Sequence, residues 1–283
     1  MKKEAIIIAV FAFQLVLVSA IPGFAAAKFG LVYDIKGTAE IVNSLGKSTQ
    51  LDRSRHLLLP VKVGDRIRTS ANAKVTVVAL NSKIGYEIKG NSEGVVEANG
   101  IRSIKGELKS SAGYAVPTGQ SSGPMGAIIL RGRDKGECMT PISPANTSVV
   151  TLTPELSWSV NCKEISKVSL RIVENRKVIY STATEGTSIK VPEGLLKYGR
   201  SYAWIIDAGQ ASAAVESEFS IPPDFQVGMI QEKMAANANG ERDVTSRISY
   251  MFYLVENDLR EQARAELDSL KKEFPENDYL KEL

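Results

Sequence analysis

The apolar period of this 283-residue chain changes once, at Ile221-Pro222-Pro223. Before that point apolar and polar residues alternate over short runs separated by turn residues, which is the period of half-buried strands. Beyond it apolar residues recur about every 3.6 positions, the period of amphipathic helices. Val75, Val77 and Ala79 share one face of a strand, as do Ile84, Tyr86 and Ile88, with Asn81-Ser82 as a two-residue hairpin connection. Asn99-Gly100 marks another turn ahead of Ile101 and Ile104. The pattern predicts a mainly β chain with an α-helical C-terminus, long enough for two or three domains.

Residues 1–27 read as a signal peptide. Lys2-Lys3 is a basic start, residues 5–20 are an apolar run broken by Gln14 and Ser19, and Ala25-Ala26-Ala27 supplies small residues for cleavage after Ala27 or Ala25. The alternative is an uncleaved anchor, against which the shortness of the run counts. No other stretch is apolar enough to cross a bilayer, so the mature chain is expected to be periplasmic or secreted and not membrane-embedded. The net charge of +3 does not call for nucleic acid. In an oxidising compartment Cys138 and Cys162 are candidates for a disulfide, worth about 3 kcal/mol on chain-entropy grounds, with two separate thiols as the alternative.

Within residues 61–70, Gly64-Asp65 is a turn pair. Ile67 sits inward between Arg66 and Arg68, and Thr69-Ser70 closes the step. Residues 57–63 read as one strand whose Pro60 favours a sheet edge. In order, Gly30-Leu31-Val32, Lys36-Gly37-Thr38-Ala39, Val63-Gly64-Asp65-Arg66-Ile67-Arg68-Thr69 and the strand at residues 73–80 resemble FecR-type periplasmic domains. The resemblance spans residues 28–109 and implies an all-β, non-catalytic domain. Gly64, Asp65 and Thr69 carry over as turn and strand-pairing positions. The sigma-factor signalling of well-known family members is not expected to carry over, because those have a cytoplasmic segment and a membrane span.

Residues 110–139 form a Gly/Ser-rich connector with a candidate closing strand at residues 127–130 and a basic cluster, Arg131-Gly132-Arg133-Asp134-Lys135. Gly123-x-x-Gly126 lacks the lysine and helix of a phosphate loop. Residues 140–222 hold about seven short strands, as in an immunoglobulin-like or fibronectin III-like sandwich. Leu156, Trp158 and Val160 share a face, as do Tyr202, Trp204 and Ile206. Ser143-Pro144-x-Asn146, Leu156-Ser157-Trp158 and Tyr198-Gly199-x-x-Tyr202-x-Trp204 resemble bacterial Ig-like repeats, and alternation turns both tryptophans inward rather than into a carbohydrate platform.

Residues 223–283 predict a helical tail. Phe225, Met229, Ile230 and Met234 mark a first helix, and Ile248, Met251, Phe252 and Val255 a second. Asp258 as N-cap with Glu261 as capping box opens a third, striped by Ala263, Leu267, Leu270 and Phe274 and ended by Pro275. From residue 245 to 282 the chain resembles a single tetratricopeptide-like unit, a helical hairpin, through Leu254, Ala263, Leu267, Leu270 and Pro275. Arg247 stands where that pattern often has tryptophan. One such unit cannot bury its own stripe. The stripe docks either on this chain or on a partner, and Met251, Phe252, Leu267 and Phe274 are the partner-face candidates.

No catalytic constellation is visible. His56 is the single histidine, there is no Gly-x-Ser-x-Gly elbow and no Cys-x-x-Cys, and no cofactor or metal is implied. The leading expectation is a non-enzymatic periplasmic interaction or scaffold protein that binds an envelope protein or a cell-wall polymer. The alternatives are envelope sensing in trans through a membrane regulator, and a polysaccharide-active enzyme using scattered carboxylates.

Overall fold

The computed structural model describes residues 27–117, 138–163, 165–239 and 243–283. The expected leader, apart from Ala27, the closing strand at residues 127–130, Gly123, Gly126 and the basic cluster at residues 131–135 lie outside the described residues.

The first unit is a sandwich of two five-stranded antiparallel sheets. Its elements are β1 (Lys28–Lys36), β2 (Ala39–Val42), β3 (Ser48–Leu51), the short helix α1 (Arg53–His56), β4 (Pro60–Lys62), β5 (Arg66–Thr69), β6 (Lys74–Ala79), β7 (Gly85–Ile88), β8 (Glu93–Glu97), β9 (Gly100–Lys105) and β10 (Leu108–Ser111). One sheet runs β10-β7-β6-β1-β4, the other β3-β2-β5-β8-β9. Val32, Ile35, Ile41, Ile67, Val75, Val77, Ile88 and Val96 fill the space between them. The chain changes sheets at Gly37 and again at Gly64. Both have positive φ, +70° and +93°, a conformation that costs a side-chain-bearing residue about 1 kcal/mol or more.

Two expectations need correction. Residues 57–63 are not one strand: α1 precedes them, Leu58 has φ +65°, and only Pro60–Lys62 pairs. Pro60 does sit on the edge strand β4. The connection between β6 and β7 is longer than Asn81-Ser82. Lys83 takes a positive φ of 56° and its N–H donates to the Ala79 carbonyl at 3.0 Å.

The second unit is also a sandwich. It contains β11 (Met139–Ser143), β12 (Thr147–Ser148), β13 (Glu155–Val160), β14 (Val168–Glu174), β15 (Lys177–Thr184), β16 (Ser188–Lys190), β17 (Arg200–Asp207) and β18 (Val215–Ile221). A three-stranded sheet, β11-β13-β16, faces a five-stranded one, β12-β18-β17-β14-β15. The connectivity is immunoglobulin-like, with β12 parallel to β18 and all other pairs antiparallel. Trp158 and Trp204 lie in its core with ring centroids 6.3 Å apart, and the Trp204 indole N–H donates to the Pro144 carbonyl at 2.9 Å. Tyr202 makes a tyrosine corner: its hydroxyl accepts from the Lys197 N–H at 2.8 Å. Cys138 and Cys162 are bonded, which pins the start of β11 to the chain just after β13.

Four helices follow: α2 (Asp224–Asn239), α3 (Val244–Glu256), α4 (Arg260–Glu273) and α5 (Asp278–Lys281). They do not extend the chain away from the second sandwich. α3, α4 and α5 pack on the first sandwich and cover the outer face of the β1–β6 sheet. Ile248, Met251, Phe252, Leu267, Leu270 and Leu280 pack there against Leu31, Tyr33 and Val78. This explains why β1 is buried along both faces. Val32 and Ile35 look into the sandwich, while Leu31 and Tyr33 look at the helices. Buried on both sides, residues 29–35 of β1 do not alternate with exposed ones, and the one charge among them, Asp34, is paired with Arg53 at 2.8 Å.

Candidate functional site

The Gly64-Asp65 turn joins the two sheets of the first sandwich by backbone bonds. Gly64 N–H donates to the Val96 carbonyl and Val96 N–H to the Asp65 carbonyl, both at 2.8 Å. The Asp65 carboxylate accepts from the Lys62 N–H at 2.8 Å. Burial raises the Asp65 carboxyl above the ordinary range, against the pull of that N–H and of the Lys62 charge. Thr69 donates its hydroxyl to the Lys89 carbonyl at 2.5 Å and accepts from Ser92 N–H at 3.1 Å, fastening β5 to the chain ahead of β8. All three residues hold turns and strands together, and none lines an opening described below.

His56 lies beside an open groove of ≈ 580 Å³ between α1 and α5, lined also by Arg55, Glu276, Asp278, Tyr279 and Lys281. Glu282 lines it too, and the two cations are each paired with a carboxylate. Arg55 pairs with Glu276 at 2.9 Å and Lys281 with Asp278 at 3.0 Å. His56 uses Nδ1 to accept the Asp52 N–H at 2.9 Å, which closes the α1 turn. A smaller opening of ≈ 320 Å³ is lined by Ser111, Tyr114, Ser249 and Tyr250, with Lys233 and Asn237. Among the described residues no group of three or more His, Cys, Asp or Glu side chains could hold a metal ion. No described helix is long and apolar enough to cross a membrane.

The four partner-face candidates are corrected by packing. Met251, Phe252, Leu267 and Phe274 are 0, 2, 3 and 8% exposed. Their stripe is covered by the chain's own first sandwich, with Phe252 and Tyr33 ring centroids 6.3 Å apart. The covering face was present in the sequence as Leu31, Tyr33 and Val78, apolar residues at strand positions that a one-sided alternation leaves pointing outward.

The α3–α4 turn grips the second sandwich. Asp258 is not an N-cap: it has φ +58°, and α4 begins two residues later behind Leu259 without a side-chain cap. Its carbonyl accepts from the Ser148 N–H at 2.8 Å and the Thr147 hydroxyl at 2.9 Å. Glu261, expected in a capping box, accepts instead from the Ser143 hydroxyl at 2.7 Å and the Ala145 N–H at 3.2 Å. On α2, Gln231 donates to the Val150 carbonyl at 3.0 Å. The helices are therefore bonded to both sandwiches, and Lys83 from the first sandwich reaches Glu256 at the end of α3 at 2.7 Å.

The apolar surface left outside lies elsewhere. α2 buries Val227 and Ile230, whereas Phe225 and Met229, one turn apart, are 74 and 64% exposed. Gly228 between them has open space where a Cβ would stand, so the two side chains flank a bare stretch of helix. Sequence periodicity marks the helix through Phe225, Met229, Ile230 and Met234 but does not choose which of its apolar faces is buried.

No protein-family model matches the chain, and no curated protein does. Among solved structures the chain is similar to a "Cell surface anchoring domain", with 18% identity and a TM-score of 0.23 over 26% of this chain and 90% of that one.

Proposed function

We propose that this is a non-catalytic, exported interaction protein. On this reading the two sandwiches and the helical bridge form a single scaffold that presents surfaces to a component of the cell envelope. The observation that carries the reading is where the apolar residues go. The tryptophans, the tyrosine corner and the helical stripe all close interiors, both cations in the groove beside His56 are paired with carboxylates, and Phe225 and Met229 stand free on α2. Exposed apolar side chains rimmed by polar ones suit a partner contact better than a reaction site. The Cys138–Cys162 bond supports a periplasmic or secreted location, since such bonds persist in oxidising compartments. The FecR-like motifs of the first sandwich and the tetratricopeptide-like helical hairpin agree with the same non-enzymatic role. The partner class is an envelope protein or a cell-wall polymer.

The test uses the mature chain with a photo-crosslinking residue at position 225, mixed separately with isolated envelope proteins and with purified peptidoglycan. Crosslinking or co-sedimentation that disappears in a Phe225→Glu/Met229→Glu variant supports the proposal. Retention by neither fraction overturns it.

A further inference from the structure

A sheet edge carries unpaired N–H and C=O groups, and natural sheets protect their edges by shortness, proline or charge. Among the described residues, seven of the eight sheet edges follow that rule. β4 has three residues including Pro60 and Lys62, β3 has four, β10 has four with Lys109, and β9 carries Arg102 and Lys105. In the second sandwich β12 has two residues, β16 has three with Lys190, and β11 contains Pro141. The exception is β15. It has eight residues, and Val178-Ile179-Tyr180-Ser181-Thr182-Ala183-Thr184 is an uncharged run of good strand formers. It pairs with β14 on one side and with no strand among the described residues on the other.

We propose that β15 is a self-association edge, pairing antiparallel with β15 of a second copy of this chain. The strand is self-complementary. Lys177 opens it and Glu185 follows its last residue, both exposed, and neither has an ion-pair partner among the described residues. A two-fold axis at Ser181 sets Tyr180 opposite Thr182 of the other copy and brings each Lys177 within reach of the other copy's Glu185. Both charges are thereby matched twice, which is the mark of an isologous contact. A parallel arrangement would place like charges together. Tyr180, Thr182 and Thr184 lie opposite the buried Ile172, Leu170 and Val168 across the β14 ladder, so their face is already anchored in the core. The irregularity in that ladder lies between Ile172 and Val173, at the Val178 end, and leaves Tyr180 to Thr184 in regular register. The pair would join the two five-stranded sheets edge to edge.

The experiment is sedimentation equilibrium of the full mature chain between about 1 and 100 μM, the range of a modest protein contact. The wild type is expected to dimerise. Ser181→Lys, at an exposed position, puts two like charges across the axis and is expected to weaken the dimer about tenfold or more, with the far-ultraviolet circular dichroism spectrum unchanged. Lys177→Glu and Glu185→Lys each weaken it several-fold, and the double variant Lys177→Glu/Glu185→Lys returns to near the wild-type constant. A chain that stays monomeric throughout overturns the proposal. So does a dimer indifferent to Ser181→Lys and broken by Phe225→Glu, which would put the contact on α2.

Discussion

Single side chains set the local geometry, and Asp243 shows how. It caps α3, accepting the Ser246 N–H at 2.8 Å. Burial works against its ionised form, but the Ser246 N–H and hydroxyl outweigh that, with Lys74 and Lys36 adding attraction, and the carboxyl sits below the ordinary Asp range. A carboxyl depressed by folding contributes stability that is present above its unfolded pKa and is lost as pH falls through the folded value. Asp243→Ala is therefore expected to cost about 1 kcal/mol at neutral pH. The difference from wild type should shrink below about pH 4. Urea unfolding of both proteins at the two pH values measures it. Asp65 has the opposite sign. Its raised carboxyl is penalised when ionised, so its contribution becomes more favourable as pH falls. That behaviour belongs to a buried turn residue held by one backbone N–H.

Among the elements, the α3–α4 hairpin departs from an all-apolar interface at Arg247. Its guanidinium reaches Glu266 at 2.7 Å, Ser269 at 2.9 Å and also Glu273, from a side chain only 12% exposed facing a Glu266 that is 10% exposed. This position accepts a cation because two carboxylates on α4 meet it. Removing one member of an enclosed ion pair costs more than removing both. Arg247→Met is expected to destabilise by about 3 kcal/mol, and Arg247→Met/Glu266→Met to recover most of that. Chemical unfolding of the two variants and wild type decides it, and equal losses in the single and double variants would show that the pair contributes little.

For the whole molecule, the α3–α4 turn decides whether two sandwiches behave as one body. Its grip on the second sandwich is mainly polar, through Thr147, Ser148 and Glu261, with Val150 packed beside Leu254 and Leu259, whereas the hold of α3 and α4 on the first is mainly apolar, through Phe252 and its neighbours. The two can be separated. Thr147→Val/Glu261→Ala removes hydrogen bonds worth about 1 kcal/mol each. It is expected to leave α3 docked on the first sandwich while the two sandwiches lose their fixed relation. Amide exchange should then quicken at Ser148 and the start of α4 and stay slow at Met251 and Phe252. Uniform loss of protection across all the helices would show instead that the two grips form one cooperative unit.

Strand periods, Pro60 at an edge, Ile67 inward, the inward tryptophans and the switch to helix at Pro222-Pro223 could all be read from the chain, because each follows from neighbours within a few residues. Asp258 and Glu261 could not. Their spacing is that of a helix start, and only the approach of Ser148 and Ser143, more than a hundred positions earlier, gives the carbonyl of one and the carboxylate of the other a different task. The same holds for Met251, Phe252, Leu267 and Phe274. Sequence determined that they form an apolar stripe needing cover. The tertiary structure decided that Leu31, Tyr33 and Val78 provide it, since local periodicity says which face is apolar while only the folded chain brings another apolar face against it.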